Sequence, residues 1–166
     1  MSNIYVFSHD EFDSLCKNQG WDDSNVESLT DYAFISIIGT DACRKNYLLD
    51  DTSHWFKEEH PNVINLEFDD LENDYEWKKD IIFKAMSEED GQRCLDFIER
   101  NLGKRFYIHC KAGQSRSQGV FRAIVDCYND IYKEDCGRVD NPCQHPNMRV
   151  VRMIKRAFYT KHNIFQ

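Results

Sequence analysis

The residues best suited to chemistry lie in one short stretch of the chain, residues 106–117. An apolar, β-prone run at 106–108 is followed by Cys110, by Gly113 within a short connection, and then by Arg116 and Ser117. Beyond this point apolar residues recur at helical spacing, at Val120, Phe121, Ile124, Val125 and Tyr128. The pattern predicts a buried strand that ends near Cys110, a tight loop, and a helix that begins near Arg116.

A loop of this kind is suited to holding a phosphate group. The first turn of a helix has unpaired backbone N–H groups at the positive end of its dipole. Gly113 allows the loop to curl so that its amides face inward, and the guanidinium of Arg116 matches two phosphate oxygens. We therefore expect the phosphate to be bound by Lys111, Ala112, Gly113, Gln114, Ser115 and Arg116.

The same surroundings favour the thiolate form of Cys110, because a helix N terminus and a nearby cation both stabilise negative charge. A thiolate beneath the phosphorus is a nucleophile, and we expect Ser117 to donate a hydrogen bond that stabilises it as a leaving group. His109 is expected to orient the loop, since an ionised thiol needs no base. The alternative is that Cys110 is an inert buried thiol and Arg116 a surface cation, which leaves the combined pattern unexplained.

The order His109-Cys110, five residues, then Arg116-Ser117 resembles the signature of the cysteine-dependent protein tyrosine phosphatase superfamily. The short chain resembles the compact dual-specificity branch, and the similarity covers residues 63–128. The resemblance implies a hydrolase that cleaves phosphomonoesters through a cysteinyl-phosphate intermediate and uses no cofactor. It also implies that Cys110, Arg116 and Ser117 are catalytic residues.

Such a phosphatase also needs an acid, because protonation of the leaving oxygen typically accelerates the reaction by a factor of about 10²–10⁴. The superfamily uses an aspartate on a loop that follows a strand upstream of the signature. Asp70 fits best as this catalytic acid, because it follows the alternating run at 63–68. Asp69 is the second candidate and Asp74 the third, and a solvated acidic turn is the alternative.

The resemblance implies a phosphorylated protein or peptide as substrate, carrying phosphotyrosine or else phosphoserine or phosphothreonine. Lys111 lies within the loop and could favour a more anionic substrate, since lysines there mark the phosphoinositide-directed branch of the family. A solvent-facing side chain is the alternative for Lys111. A phosphoinositide or an RNA 5′-phosphate end is therefore the alternative substrate. A phosphate-binding module without turnover is the remaining alternative, against which the intact Cys110 and Arg116 argue.

The composition indicates one globular domain over residues 1–166. Hydrophobic residues make up 41% of the chain, which is enough for a full core. The formal net charge of −8 argues against general nucleic-acid binding, which needs a basic face. No apolar run reaches the length of a membrane span, and the N terminus shows no signal-like segment. We expect a cytoplasmic monomer.

Seven cysteines without regular spacing argue against a secreted disulfide framework. Three of them fall in helical patterns and are expected in or near the core, namely Cys16, Cys94 and Cys127. A zinc site built from Cys136, Cys143 and His145 would have a spacing unlike the usual paired ligands. We therefore predict no metal site.

Apolar runs and capping signals predict the order strand, helix, strand, strand, helix, strand, helix, helix. The predicted strands are at 4–7, 33–38, 63–68 and 106–108, and the predicted helices follow Ser8, Ser87, Arg116 and Asn147. This order indicates an α/β fold, a single domain whose mainly parallel central sheet is flanked by helices. Ligands of such sheets bind beyond the carboxyl ends of the strands, where Cys110 and Asp70 are expected.

The remaining segments give weaker signals. Residues 40–60 are predicted to be irregular, with Trp55 and Phe56 as apolar anchors. Residues 81–86 fit either a short helix or a loop, and residues 130–145 are predicted to be a loop. The tail carries five basic residues and no acidic one, Arg149, Arg152, Lys155, Arg156 and Lys161. A basic face on the last helix could steer acidic phosphopeptides to the site, and a solvated helix face is the alternative.

Overall fold

Strands and helices alternate along most of the chain in the computed structural model, which describes residues 3–46, 52–133, 137–138 and 145–164. The strands are β1 Ile4–Phe7, β2 Tyr32–Ile38, β3 Val63–Glu67, β4 Tyr75–Lys78, β5 Ile81–Phe83, β6 Arg105–His109 and β7 Gly137–Arg138. The α-helices are α1 His9–Gln19, α2 Asp41–Asn46, α3 Glu88–Arg100, α4 Arg116–Cys127 and α5 Met148–Lys161. A single 3₁₀ turn, Val26–Ser28, precedes β2 among the described residues.

The central sheet has the strand order β3-β2-β6-β1-β7, and its pairings are parallel. The α/β fold with a mainly parallel sheet, predicted from the element order, is confirmed. The register places His109 beside Phe7 on one side and beside Ser36 on the other, while Ile38 pairs with Glu67. The carboxyl ends of β1, β2, β3 and β6 therefore lie at the same edge of the sheet, so the loops that follow β3 and β6 can meet there.

The helix ends follow the capping signals of the sequence. Ser8 caps α1 and Ser87 caps α3, each in a capping box with the acidic residue three positions later. Gly20 ends α1 in the left-handed region with φ 71°, where a side chain would be strained. These local contacts explain why both helix starts could be located from the sequence.

Apolar residues pack on both faces of the sheet, as alternation along β2 requires. Ala33, Ile35 and Ile37 face the larger cluster, which also contains the apolar faces of α3, α4 and α5. Phe34 faces a smaller cluster built around Phe12 of α1. The predicted anchors 55 and 56 belong to this smaller cluster, and Phe56 is fully buried in it.

Three segments differ from the prediction. Residues 81–86 were expected to be a short helix or a loop, but Ile81–Phe83 is a strand that pairs antiparallel with Tyr75–Lys78. An apolar run of three residues is too short to reveal a period, so pairing across the Asp80 turn decides its conformation. A short helix, Asp41–Asn46, lies within the segment predicted to be irregular. The loop predicted at 130–145 contains the edge strand Gly137–Arg138, and residues 134–136 and 139–144 lie outside the described part.

Four of the five basic residues of α5 form ion pairs within the molecule, and the fifth, Arg149, donates hydrogen bonds to the carbonyls of Met86 and Glu72. Their ion pairs are Arg152 with Glu72 at 2.9 Å, Lys155 with Asp126 at 3.3 Å, Arg156 with Glu88 at 2.6 Å and Lys161 with Asp96 at 2.9 Å. These ion pairs favour the alternative of a solvated helix face, because nearby carboxylates offset four of the five charges. Among the residues described, none of the helices is both long and apolar enough to span a membrane.

Candidate active site

Cys110 follows the last residue of β6 directly and lies at the base of a cleft. Its side chain is buried, with 2% of its surface exposed. The Sγ atom lies 3.1 Å from Ser117 Oγ, and the backbone N–H of Gly113 donates a hydrogen bond to it at 3.3 Å. Both groups can donate to a sulfur anion, and the N terminus of α4 is adjacent. Two potential hydrogen-bond donors and the start of a helix therefore surround this sulfur.

The Cys110 loop, residues 110–115, contacts the junction between β1 and α1. The backbone N–H of His9 donates to the carbonyl of Lys111 at 3.1 Å. Gly113 has φ 70°, and a Cβ there would lie 2.8 Å from the Phe7 carbonyl carbon and from the Ser8 nitrogen. Glycine is therefore required at 113, both for its conformation and for this close approach.

Arg116 begins α4 and is almost entirely buried. Its Nη1 donates a hydrogen bond to the carbonyl oxygen of Phe68 at 2.9 Å. This contact joins the start of α4 to the residue that directly follows β3. Arg116 also lines the cleft to which Cys110 belongs, so a permanently charged side chain forms part of the same site.

Asp70 lies on the exposed side of the cleft, in the segment 68–74 that we call the aspartate loop. Ser115, at the N-cap position of α4, does not cap that helix with its side chain. Its Oγ donates instead to Asp70 Oδ1 at 2.6 Å. A second donor, Nδ2 of Asn147, reaches the same oxygen at 2.8 Å. The Asp70 carboxylate is therefore held at the rim of the Cys110 loop.

Asp69 has a different environment from its neighbour. It is buried, and its carboxylate accepts hydrogen bonds from the Thr40 N–H at 2.9 Å, the Thr40 hydroxyl at 2.8 Å and the Lys84 N–H at 2.8 Å. Its role in these contacts is to fix the start of the aspartate loop against the loop after β2. Asp74, the third candidate, is exposed and accepts from the Ala85 N–H at 3.0 Å.

The cleft has a volume of about 470 Å³. Its lining combines polar groups, among them Cys110, Arg116 and Asp70, with a wall of apolar side chains. The wall includes Tyr75 and Phe83 of the β4–β5 hairpin, whose ring centroids are 6.4 Å apart. The other residues that line the cleft are Cys43, Asp69, Leu71, Lys111, Ala112 and Ser115.

A chain of polar side chains lies behind the site. Nε2 of His109 lies 2.7 Å from Ser36 Oγ, which lies 2.6 Å from His54 Nδ1. Burial lowers the pKa of His109 to about 3 and that of His54 to about 4, so both rings are neutral at physiological pH. A neutral His109 held by Ser36 fits the expected orienting role.

Three other cysteines have thiols whose burial disfavours the thiolate. Burial raises the pKa of Cys16, Cys94 and Cys127 to about 12 in each case, so these thiols stay protonated. Cys136 and Cys143, considered above as zinc ligands, lie outside the described residues. Within the described part of the chain, no group of three histidine, cysteine or acidic side chains could hold a metal ion.

Some residues near the site gave no signal in the sequence. Ser36 is one polar residue within an apolar strand, and Thr40 lies in a segment predicted to be irregular. The sequence indicates Asn147 only as the start of the last helix. Each acts through a partner distant in sequence, Asn147 through a residue 77 positions away. In the sequence they are single polar residues within otherwise ordinary patterns, which do not indicate these contacts.

Comparison of the chain with protein-family models, with curated protein sequences and with solved structures gives no match. The likeness to phosphatases consequently rests on the signature residues and their arrangement.

Proposed function

We propose that this protein is a cysteine-dependent phosphomonoester hydrolase, similar to protein tyrosine and dual-specificity phosphatases. The observation that carries the proposal is the environment of Cys110 Sγ, which lies 3.1 Å from Ser117 Oγ and 3.3 Å from the Gly113 nitrogen at the base of the cleft. Arg116 and Asp70 line the same cleft. A buried thiol kept only for packing would not need these polar neighbours.

The first half-reaction transfers the phosphoryl group to sulfur. Arg116 and the Cys110 loop bind the phosphoryl oxygens, and the Cys110 thiolate attacks phosphorus. As the S–P bond forms, the bond from phosphorus to the ester oxygen breaks, and Asp70 gives its proton to that oxygen. The dephosphorylated alcohol or phenol leaves, and a cysteinyl-phosphate remains.

The second half-reaction restores the enzyme. Asp70, now a carboxylate, accepts a proton from a water molecule as the water oxygen attacks phosphorus. The S–P bond breaks, inorganic phosphate is released, and the electron pair returns to sulfur. Ser117 stabilises the departing thiolate with its hydrogen bond. No metal or other cofactor takes part in this scheme.

A phosphorylated protein or peptide is the proposed substrate. The wall formed by Tyr75 and Phe83 supports phosphotyrosine as the preferred residue, since aromatic rings pack favourably against one another. Phosphoserine and phosphothreonine would reach the same sulfur with fewer contacts. Lys111, which lines the cleft, supports the alternative of a more anionic substrate such as a phosphoinositide or an RNA 5′-phosphate end. We place the protein in the cytoplasm as a monomer.

The cysteinyl-phosphate can be tested by trapping. Ser117→Ala removes the hydrogen bond that helps the thiolate leave, so the intermediate should accumulate during turnover of an aryl phosphate. Mass spectrometry after acid quench should find phosphate on the peptide that contains Cys110. The double variant Cys110→Ser/Ser117→Ala is the matched control and should carry none. Absence of the adduct from Ser117→Ala during measurable turnover would contradict the covalent mechanism.

A further inference from the structure

We propose that Asn147 is a positioning residue, which holds the Asp70 carboxylate against the Cys110 loop and assigns proton transfer to Asp70 Oδ2. This inference rests on the proposed function, because it gives Asp70 the role of acid. Asn147 is buried and lies at the N-cap position of α5, distant in sequence from both loops that it joins.

The side-chain amide of Asn147 both donates and accepts hydrogen bonds. Its Nδ2 donates to Asp70 Oδ1 at 2.8 Å and to the Leu71 carbonyl at 3.3 Å. Its Oδ1 accepts from the N–H groups of Arg149 at 3.0 Å and Val150 at 3.2 Å, which caps α5. Only an amide side chain combines a double donor with an acceptor in one planar group. Asn147 therefore fixes the aspartate loop to the start of a helix.

The backbone around Asn147 holds the Cys110 loop as well. The N–H of Asn147 donates to the Ser115 carbonyl at 3.0 Å, and the N–H of His145 donates to the Gln114 carbonyl at 2.9 Å. The same short segment thus binds the loop that carries the nucleophile and the loop that carries the acid. Their relative position is set by the start of α5.

The contacts at Asp70 determine which of its oxygens can act. Ser115 Oγ and Asn147 Nδ2 both donate to Oδ1, so that oxygen is engaged as an acceptor. A proton for the leaving group is then carried by Oδ2. Because two donors fix the carboxylate, its rotation is restricted and the acid is preorganised before substrate binds.

Asn147→Asp separates the capping role from the positioning role. An aspartate caps a helix as well as an asparagine does, but it cannot donate to Asp70 and it repels that carboxylate. Phenyl phosphate needs a proton on its leaving oxygen, whereas 2,4-dinitrophenyl phosphate does not. We expect kcat/KM, which reports on formation of the cysteinyl-phosphate, to fall about 10²-fold for phenyl phosphate. It should change less than about threefold for the dinitrophenyl ester, where the acid contributes little to this step.

Two further variants complete the test. Asn147→Ser keeps a capping hydroxyl but is too short to reach Asp70, so it should give the same selective loss even if Asn147→Asp folds poorly. In the Asp70→Asn background, Asn147→Asp should cause no additional loss with phenyl phosphate, because it acts through the acid. Ser87→Ala, which removes the cap of α3, is the matched control. It should leave the ratio of kcat/KM for phenyl phosphate to kcat/KM for the dinitrophenyl ester unchanged.

Three results would each overturn this role for Asn147: an equal loss of kcat/KM with both esters, a further loss when Asn147→Asp is added to Asp70→Asn, or wild-type values of kcat/KM in both Asn147 variants. Those results would leave the proposed function intact as long as turnover still required Cys110. Absence of Cys110-dependent turnover in the wild type, by contrast, would remove the proposed function itself.

Discussion

Asp69 and Asp70 are adjacent in sequence, yet their carboxylates have separate sets of partners. Asp69 is buried at 4% exposure and bound to the backbone and hydroxyl of Thr40 and to the backbone of Lys84. Asp70 is exposed and bound to Ser115 at the cleft. The first carboxylate shapes the loop, and the second lies at the cleft, where the proposed function needs an acid.

The different environments of Asp69 and Asp70 predict that replacing each by asparagine affects a different property, stability in one case and turnover in the other. Asp70→Asn should reduce kcat for phenyl phosphate by a factor of about 10²–10⁴ without lowering the free energy of unfolding. Asp69→Asn should lower the free energy of unfolding by about 1–3 kcal/mol, because buried donors lose a charged acceptor. Urea titration and steady-state kinetics on both variants distinguish the two roles. A larger kinetic loss in a stable Asp69→Asn would reverse the assignment of the acid.

Gly113 offers a test of the geometry of the Cys110 loop. A Cβ at Gly113 would approach backbone atoms of Phe7 and Ser8 to 2.8 Å, so Gly113→Ala must displace the loop. We expect kcat to fall about 10²-fold, as a displacement of about 1 Å near the reacting atoms can cause. Thermal unfolding and kinetics provide the measurement.

The matched control is Gly103→Ala. Gly103 also has a positive φ, 89°, but a Cβ there would meet no atom within 4 Å. This variant should lose about 1 kcal/mol of stability from backbone strain alone and keep full activity. Normal turnover in Gly113→Ala would show that the loop does not depend on its contact with β1.

The wall of the cleft formed by Tyr75 and Phe83 predicts a preference for phosphotyrosine over phosphoserine substrates. Tyr75 is 53% exposed and lines the cleft, so its ring is accessible to the aromatic group of a phosphotyrosine. Tyr75→Ala should lower the ratio of kcat/KM for a phosphotyrosine peptide to that for the matching phosphoserine peptide by about 3- to 10-fold. The control is Ile82→Ala, since Ile82 is 41% exposed on the same hairpin and is not among the residues lining the cleft. An unchanged ratio in Tyr75→Ala would remove the aromatic wall as a source of selectivity.

The buried histidine behind Cys110 predicts how stability depends on pH. Burial lowers the pKa of His109 to about 3, below the unfolded value of about 6.5. The unfolded chain therefore binds the proton more readily, so stability is full above pH 6.5 and falls on acidification toward pH 3. Between pH 7 and pH 5 this ring should lower the free energy of unfolding by about 2 kcal/mol.

His109→Gln should reduce that pH dependence, measured by urea unfolding at pH 7 and pH 5. The exposed His145 gives the matched control, and His145→Gln should leave the dependence unchanged. His54, whose pKa is lowered to about 4 by burial, should act in the same direction as His109. An unchanged slope in His109→Gln would contradict the burial of a neutral ring.

The parts of the site that the sequence revealed are those encoded by neighbouring residues. The strand before Cys110, the glycine at 113 and the helix beginning at Arg116 all follow from spacing within twelve positions. The capping boxes at Ser8 and Ser87 are local in the same sense. Short-range sterics and hydrogen bonds decide such features, so a sequence displays them directly.

The parts that the sequence did not reveal depend on contacts between distant segments. Ser36 reaches His109 across 73 positions, and Asn147 reaches Asp70 across 77. Asp69 and Asp70 differ because only the Asp69 carboxylate accepts a hydrogen bond from the backbone of Lys84. The β4–β5 hairpin, which Lys84 follows directly, determines where that backbone lies. Strand pairing and packing, rather than residue spacing, fix these relationships.

The requirement for the Cys110 thiolate is tested most directly by phosphate release from p-nitrophenyl phosphate under reducing conditions and in the presence of a chelator. We predict steady turnover by the wild type that the chelator does not change, and no turnover above background by Cys110→Ser. Cys94→Ser, which alters a buried thiol away from the cleft, should retain activity. Turnover that survives in Cys110→Ser, or its absence in the folded wild type, would contradict the proposed mechanism.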